Sequence, residues 1–417
     1  MIKRNAYIII CLCLLGRLPA FAQPLPGDEK ELAKKYPFVS TVFNRVFNST
    51  ALNSFYEKLF HLKKDSAGTV SIVHIGDSHI QPDFLSGVVR SELQQYFGNA
   101  GRGLVFPYRL ALSNAPDDIV SSSETRWEYN RVAHPEIPVA PGISGFVIRS
   151  SLPSPQLKIS LRQNFRAGYQ DFNRLRIFTD NDTAHYWSVQ ADNDTSSMVL
   201  HSQQDSAGSI ISLPASATAF TLQASVSGAT KSFYGASLEN GQPGVLYHTI
   251  GVNGARYDQY NTAELFWKQL PALKADLYIV SLGTNEAQRA AFNQTAFFKE
   301  LDIFIGRLQQ SSPGAAILIT TAPDSYRARR YFNKVLQQLN KALADYCNKN
   351  YIPLWDLYRI TNGYGSAYTW ARRGLMSKDK VHFTADGYRL QGELLYHALA
   401  KGYNSYLQIL NTPSAGN

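Results

Sequence analysis

Four short strings in a fixed order carry side chains suited to acyl-transfer chemistry: Gly76-Asp77-Ser78-His79, Gly251-Val252-Asn253-Gly254, Gly283-Thr284-Asn285-Glu286 and Asp379-Lys380-Val381-His382. A serine hydroxyl attacks poorly at its own pKa and needs a base within hydrogen-bond reach. His382 is the candidate base, taking the Ser78 proton and returning it to a leaving alcohol. Asp379 would hold the imidazole in the required tautomer and stabilise its charged form. A separation of three residues lets those two side chains face one way in a turn or at the start of a helix. A tetrahedral intermediate concentrates charge on one oxygen, where each preorganised donor is worth ~3–4 kcal/mol. The Ser78 backbone N–H, a glycine N–H from the 251–254 string and the Asn285 side-chain amide are the candidate oxyanion donors.

Taken singly, the strings have plainer explanations. A serine after a strand can be a turn or N-cap residue, and glycines serve turns of many kinds. Asp77 reads as a structural hydrogen-bonding residue beneath the serine turn, and Asn253 as one that fixes its loop. Among nine histidines, His74 alternates with Val73 and Ile75 as a strand residue. His79 is the strongest rival to His382 and reads as shaping the pocket. No grouping of His, Cys, Asp and Glu has metal-ligand spacing, and Gly101-Arg102-Gly103 is too short for a phosphate loop. No metal or cofactor is expected.

The joint occurrence of the four strings resembles the SGNH hydrolases, or GDSL esterases, a superfamily named for the Ser, Gly, Asn and His its members use. The resemblance covers roughly Val70 to Ser113 and Val245 to Lys401. It implies Ser78, Asp379 and His382 as the catalytic residues, with Ser78, Gly254 and Asn285 as the oxyanion hole. It also favours Gly254 over Gly251 as donor. The order Ser…Asp…His fits this family rather than acyltransferase relatives whose Asp-His pair precedes the serine. Two positions depart from the pattern, His79 for Leu and Glu286 for Asp, and neither removes a catalytic atom. The Gly-Asp-Ser-His variant also looks like that of bacterial peptidoglycan and polysaccharide O-acetylesterases.

These strings need a scaffold that brings strand ends together. Val70–Ile75, Leu277–Leu282, Ala316–Thr320 and the shorter Tyr351–Trp355 are apolar runs suited to buried parallel strands. Helical patterns lie between and after them, at Thr295–Gln310, Arg327–Lys349 and Asp386–Ala400. Another opens at Pro82 and Asp83 and repeats Leu85, Val88, Val89, Leu93 and Phe97 on one face. Helical periodicity also runs from Glu31 to Lys63. The alternation specifies a parallel sheet with helices on both faces, a three-layer α/β/α sandwich. Ligand sites in such sheets lie at the carboxyl ends of the strands.

The interval from Ser78 to Gly254 far exceeds the ~30 residues of one βαβ unit. It holds alternating segments at Gln156–Arg162, Arg174–Phe178, Tyr186–Gln190 and Ala219–Val226, separated by Asp, Asn, Gly and Pro clusters. Short strands at this spacing read as an all-β sandwich. The expected division is a signal segment at 1–22, hydrolase-domain parts at 23–112 and 235–405, an inserted β-rich domain at 113–234, and a tail at 406–417. An insertion of this kind resembles the layout of some peptidoglycan O-acetylesterases, where it looks like a carbohydrate-binding module; a structural cap is the alternative. Trp127, Tyr129, Tyr186 and Trp187 are its candidate sugar-stacking aromatics, or core residues.

At 417 residues with 44% hydrophobic and 18% charged side chains, the chain reads as globular and long enough for two domains. The net charge of +9 includes Lys3, Arg4 and Arg17, which lie in the expected signal segment. The remaining excess forms no basic stripe, so nucleic acid is not an expected partner. Lys3-Arg4, the apolar Ala6–Gly16 and Ala20-Phe21-Ala22 form a secretory signal peptide cleaved after Ala22. The apolar stretch is shorter than the ~20 residues of a membrane span. Cys11 and Cys13 fall within it, and Cys347 reads as a buried apolar group. The signal segment implies export to the periplasm or the extracellular space, and the resemblance implies a carboxylic ester hydrolase acting on an acetylated glycan, either peptidoglycan or another polysaccharide. The alternatives are a short-chain lipase or carboxylesterase, and a non-catalytic secreted glycan-binding protein.

Overall fold

The computed structural model describes residues 24–163, 171–180, 187–194, 196–200, 208–225 and 230–412. The signal segment with Cys11 and Cys13, and Tyr186, lie outside the described residues. The central sheet has six strands in the order Val46–Phe47, Leu354–Trp355, Ala316–Thr320, Leu277–Ser281, Thr69–Gly76 and Gly244–Gly251. All neighbours are parallel except the first pair. The sheet is thus mixed rather than wholly parallel, because Val46–Phe47 adds an antiparallel edge.

Side chains along these strands alternate between two cores, as the pleat requires. Val70, Ile72, Leu277, Ile279 and Leu318 belong to one core with Leu59, Leu93 and Leu394, which lie on helices Asn53–Asp65, Phe84–Phe97 and Ala385–Asn411. Val73, Ile75, Tyr278, Val280 and Ile319 belong to the other with Phe304 and Leu339, on helices Gln294–Ser311 and Lys334–Lys349. Each buried Leu, Ile or Val contributes ~1.5–3 kcal/mol, so the alternation fixes the register of every strand.

The β-rich region forms two antiparallel sheets. One has the order Met198–Val199, Trp187–Ala191, Ala219–Ala224, Gln156–Leu161, Ile119–Ser122. The other has Ser209–Ala217, Phe172–Thr179, Lys231–Glu239, Phe146–Ser150, Glu128–Arg131, with Gly103–Val105 also paired to Lys231–Glu239. The region therefore reaches past 113 and 234 at both ends, and position 234 falls inside a strand. Its core is continuous with one face of the central sheet, since Phe106, Ile143 and Phe146 join Val252, Tyr260 and Ile75 in a single cluster. Trp127 and Trp187 are only 9% and 2% exposed and belong to that cluster. They are core residues, not sugar-stacking ones.

Several elements differ from their expected bounds for local reasons. The periodicity of 31–63 divides into helix Lys30–Lys35, a 3₁₀ turn Thr41–Phe43, the edge strand and helix Asn53–Asp65. The helix expected from Arg327 begins at Lys334, where Asn333 caps it by accepting from the Leu336 N–H. Tyr326–Arg327 and Tyr331–Phe332 instead pair as a hairpin, with Ala328 and Arg329 at φ 48° and 58° in its turn. The last helix continues through Asn411, so residues 406–411 belong to it and not to a tail. Cys347 is fully buried on helix Lys334–Lys349.

Candidate active site

The carboxyl ends of three adjacent strands are held level. Gly76 pairs in register with Gly251 on one side and Ser281 on the other. The loops that follow, carrying Ser78, Gly254 and Asn285, therefore leave the sheet side by side. Two of these glycines are required by close approach. A Cβ on Gly76 would strike the Ile80 side chain, and one on Gly251 would strike the Gln81 backbone. The serine turn is thus pressed flat onto the strand ends.

Ser78 sits in a turn closed by the Ile80 and Gln81 N–H groups donating to the Asp77 carbonyl, both at 3.1 Å. The following helix begins at Phe84, later than expected, after Asp83 in the left-handed region at φ 60°. Asp77 is 1% exposed. Its carboxyl accepts the His79 N–H at 2.9 Å and an Asn285 Nδ2–H at 3.2 Å. Burial pushes its pKa up to about 8, against the opposing hydrogen bond from His79.

Asp379 and His382 lie in the turn before helix Ala385–Asn411. This turn is closed by the Ser377 N–H donating to the His382 carbonyl at 2.8 Å. His382 Nε2 lies 2.9 Å from Ser78 Oγ, and His382 Nδ1 lies 2.7 Å from Asp379 Oδ2. Asp379 Oδ1 accepts the Val381 and His382 N–H groups, each at 3.0 Å. Burial disfavours the Asp379 carboxylate, but the bonds from the His382 ring and from these N–H groups outweigh it and hold its pKa below the ordinary value. A hydroxyl, an imidazole and a carboxylate thus form one hydrogen-bonded chain, able to move a proton off the hydroxyl.

The other histidines fall into place by their partners. His74 is fully buried between Tyr247 Oη and Ser281 Oγ, each at 2.8 Å, and burial lowers its pKa to about 3. His79 is 5% exposed. Its ring lies 5.5 Å from that of His382, and its Nδ1 is 3.0 Å from Tyr388 Oη. Burial, then the neighbouring His382, lowers the His79 pKa to about 3. His79 is thus a neutral wall behind His382, tied to the last helix through Tyr388.

Gly254 adopts φ 84°, and a Cβ there would lie 2.9 Å from His134 Nε2. His134 comes from the β-rich region, is exposed, and itself adopts φ 52°. That region is also fastened to the serine turn. Gln81 Nε2 donates to Ser113 Oγ and to the Asn114 carbonyl, each at 2.7 Å, while Gln81 Oε1 accepts the Asn253 N–H at 2.8 Å. Both Asn285 amide hydrogens are engaged, one by Asp77 and the other by the Ala255 carbonyl at 3.0 Å. Glu286 is half-buried, desolvation raises its pKa to about 7, and it accepts the Tyr257 N–H at 2.9 Å. Sequence reasoning missed His134 and Gln81. Gln81 had a usable signal in its position three residues after Ser78, whereas His134 had none.

No group of three or more His, Cys, Asp or Glu side chains among the described residues is placed to hold a metal ion. Nor, among those residues, is any helix long and apolar enough to cross a membrane. The GDSL-like Lipase/Acylhydrolase family matches residues 216–390, which include Gly254, Asn285, Asp379 and His382. No sequence match to a curated protein was found. Among solved structures, a peptidoglycan O-acetylesterase is similar in fold, with TM-score 0.70 and 21% identity over 84% of this chain and 96% of its own. A GDSL-like lipase from Bacteroides thetaiotaomicron shares 21% identity over 37% of this chain and 76% of its own, with TM-score 0.30. A family two carbohydrate esterase from Cellvibrio japonicus shares 11% over 69% and 100%, with TM-score 0.28.

Proposed function

We propose that this chain, a member of the SGNH hydrolase superfamily and an ester hydrolase, removes O-acetyl groups from a cell-wall or related polysaccharide outside the cytoplasm. The observation that carries the mechanism is the Ser78–His382–Asp379 hydrogen-bonded chain at the carboxyl edge of the sheet. Support for the substrate comes from the fold-level likeness to a peptidoglycan O-acetylesterase across 84% of the chain. A β-rich region fastened at Gln81 and brought close to Gly254 by His134 agrees with a polymeric ligand.

Ser78 Oγ attacks the acetyl carbonyl carbon as His382 Nε2 takes the hydroxyl proton, and Asp379 stabilises the resulting imidazolium. The carbonyl electrons move onto oxygen, which accepts from the Ser78 and Gly254 N–H groups. Collapse of the intermediate breaks the bond to the sugar oxygen, which leaves with the proton from His382. Water then attacks the acetyl-serine with His382 again as base, releasing acetate. Asn285 joins the oxyanion hole by turning one amide hydrogen away from Asp77, the longer of its two bonds at 3.2 Å. A carboxyl whose pKa lies near 8 is partly uncharged at neutral pH. It holds that hydrogen less tightly than a full carboxylate.

Two outcomes follow. Asn285→Ala is expected to lower kcat about 10²-fold with little change in KM, because the bond forms only as charge develops. A wild-type kcat in that variant would remove Asn285 from the oxyanion hole. Acetate release from O-acetylated peptidoglycan should exceed release from acetylated xylan and from longer-chain 4-nitrophenyl esters. Preference for a butyrate or octanoate ester would make the protein a carboxylesterase instead.

A further inference from the structure

The hairpin between strand Ala316–Thr320 and helix Lys334–Lys349 has the sequence Tyr326-Arg327-Ala328-Arg329-Arg330-Tyr331-Phe332. Tyr326 at its base is buried in the core at 6% exposed, but the aromatic side chains of its second strand are not. Tyr331 is 54% exposed and Phe332 46%, and Tyr364 and Tyr368 beside them are 40% and 48% exposed. Phe332 meets Tyr364 at the surface and the buried Tyr326 ring beneath, while Tyr331 pairs with Arg327 on the other face of the hairpin. Tyr326 and Phe332 have centroids 5.1 Å apart, and Phe332 and Tyr364 5.7 Å. Scattered exposed aromatics need no explanation, but a contiguous patch of them marks a binding surface.

The patch also has a defined place. The Tyr326 N–H donates to the Lys380 carbonyl at 2.8 Å, and Lys380 lies between Asp379 and His382 in the chain. Gln288 Nε2 donates to the Tyr326 carbonyl at 3.2 Å, and the Ala328 N–H donates back to Gln288 Oε1 at 3.3 Å. Arg327 donates to the Ala290 carbonyl at 3.2 Å. The hairpin is therefore fastened at once to the loop of the proposed base and to the loop after Asn285. Its charge is one-signed. Lys380 lies over the Tyr326 ring at 4.6 Å and Arg330 over Tyr331 at 5.5 Å. Among the described residues no carboxylate forms an ion pair with Arg329, Arg330 or Lys380.

We propose that this hairpin, with Tyr364, is the subsite that seats a carboxylate-bearing glycan strand beside the catalytic serine. The rings stack on the apolar faces of sugar rings, and Arg329, Arg330 and Lys380 meet the carboxylates. The proposal deepens the glycan-esterase reading and rests on it for the reaction, though not for the binding. Aromatic faces suit pyranose rings because the axial C–H groups are apolar while the hydroxyls remain in water at the rim. Unpaired guanidinium groups suit carboxylates because they donate in a fixed fork. A neutral polysaccharide would use the rings and leave the cations idle.

The test measures binding of soluble, de-O-acetylated peptidoglycan fragments and of chitooligosaccharides by calorimetry, together with hydrolysis of 4-nitrophenyl acetate. The Tyr331→Ala/Phe332→Ala variant is expected to weaken both ligands about tenfold. The Arg329→Glu/Arg330→Glu variant is expected to weaken only the carboxylate-bearing fragments, again about tenfold, with an effect that shrinks at high salt. Both variants should keep kcat/KM on the small ester within about twofold of wild type. Unchanged affinity for the peptidoglycan fragments in both variants would overturn the subsite. So would a parallel loss on the small ester in folded protein, which would make the hairpin part of the catalytic pocket. Wild-type protein that binds the fragments through this surface yet releases no acetate from any acetylated glycan would uphold the subsite and overturn the esterase reading.

Discussion

Ser78→Ala is expected to lower kcat for ester hydrolysis by at least about 10⁴-fold, with KM nearly unchanged. The substitution removes only Oγ, which lies in a turn held by backbone bonds from Ile80 and Gln81 to Asp77. The scaffold around it should therefore be preserved. His382→Ala should cost a similar factor, and the double variant should be no worse than either alone, since the two act as one unit. Asp379→Asn is the more informative change. An asparagine Oδ1 could still accept the Val381 and His382 N–H groups, so the loop would stay in place. An Nδ2 facing His382 Nδ1 would instead favour the tautomer whose proton points at Ser78, and that imidazole cannot accept the serine proton. About 10³-fold loss with an unchanged structure is the expected result. A folded Ser78→Ala protein with wild-type turnover would overturn the mechanism, and steady-state kinetics with circular dichroism on each variant decides the matter.

The strands that carry this chemistry were legible because their pattern is dense. Val70–Ile75 and Ala316–Thr320 are uninterrupted apolar runs, and strands stand there at Thr69–Gly76 and Ala316–Thr320. Val46–Phe47 escaped notice because a two-residue strand has no periodicity, and its antiparallel pairing is set by Leu354–Trp355 far along the chain. The helical pattern at Arg327–Lys349 takes in most of the hairpin Tyr326–Phe332 for a similar reason. The arginines, tyrosine and alanine of 327–331 do not oppose a helix, whereas the bonds to Gln288 and Lys380 that hold the hairpin are long-range. Its exposed rings had a sequence signal in three arginines within four positions directly before Tyr331 and Phe332, which is wasteful for a core helix. In the β-rich region the opposite error was open. Trp127 and Trp187 looked available for sugars. Trp187 is turned inward by alternation along a strand of the two-sheet sandwich, and Trp127, just before strand Glu128–Arg131, is held inward by its ring N–H donating to Ser123 Oγ at 2.8 Å. The roles drawn from the four strings depend on side chains meeting across hundreds of residues. Register between Gly76, Gly251 and Ser281 makes them meet, and no single string contains that register.

Arg102→Ala is expected to destabilise the fold by about 3–5 kcal/mol, measured as a shift in the denaturant midpoint. Arg102 is 1% exposed. It donates to Asp118 through Nε, and through Nη2 to Asp118 Oδ1 at 3.0 Å and to Asp83 Oδ2 at 2.7 Å. Asp83 also accepts from Arg90 at 2.6 and 3.1 Å, from Ser86 at 2.6 Å and from Thr249 at 2.9 Å. Asp118 directly precedes the first strand of the five-stranded sheet, Asp83 ends the serine turn, and Thr249 lies two residues before Gly251. One buried guanidinium therefore joins the β-rich region to the strand and turn that present Ser78. Removing it leaves two buried carboxylates sharing the single cation Arg90, which is where the cost arises. The pH dependence has a definite sign. Burial disfavours the charged form of Asp83, but Arg90 and Arg102 outweigh it and hold its pKa well below the usual carboxylate range. Its stabilisation is complete above the unfolded value of ~3.9 and is lost as pH falls through the folded value. Without Arg102 the folded value rises, so the variant should unfold at a higher pH than wild type on the acid side. Stability within about 0.5 kcal/mol of wild type at neutral pH, or an unmoved acid transition, would show that the network does not join the two regions.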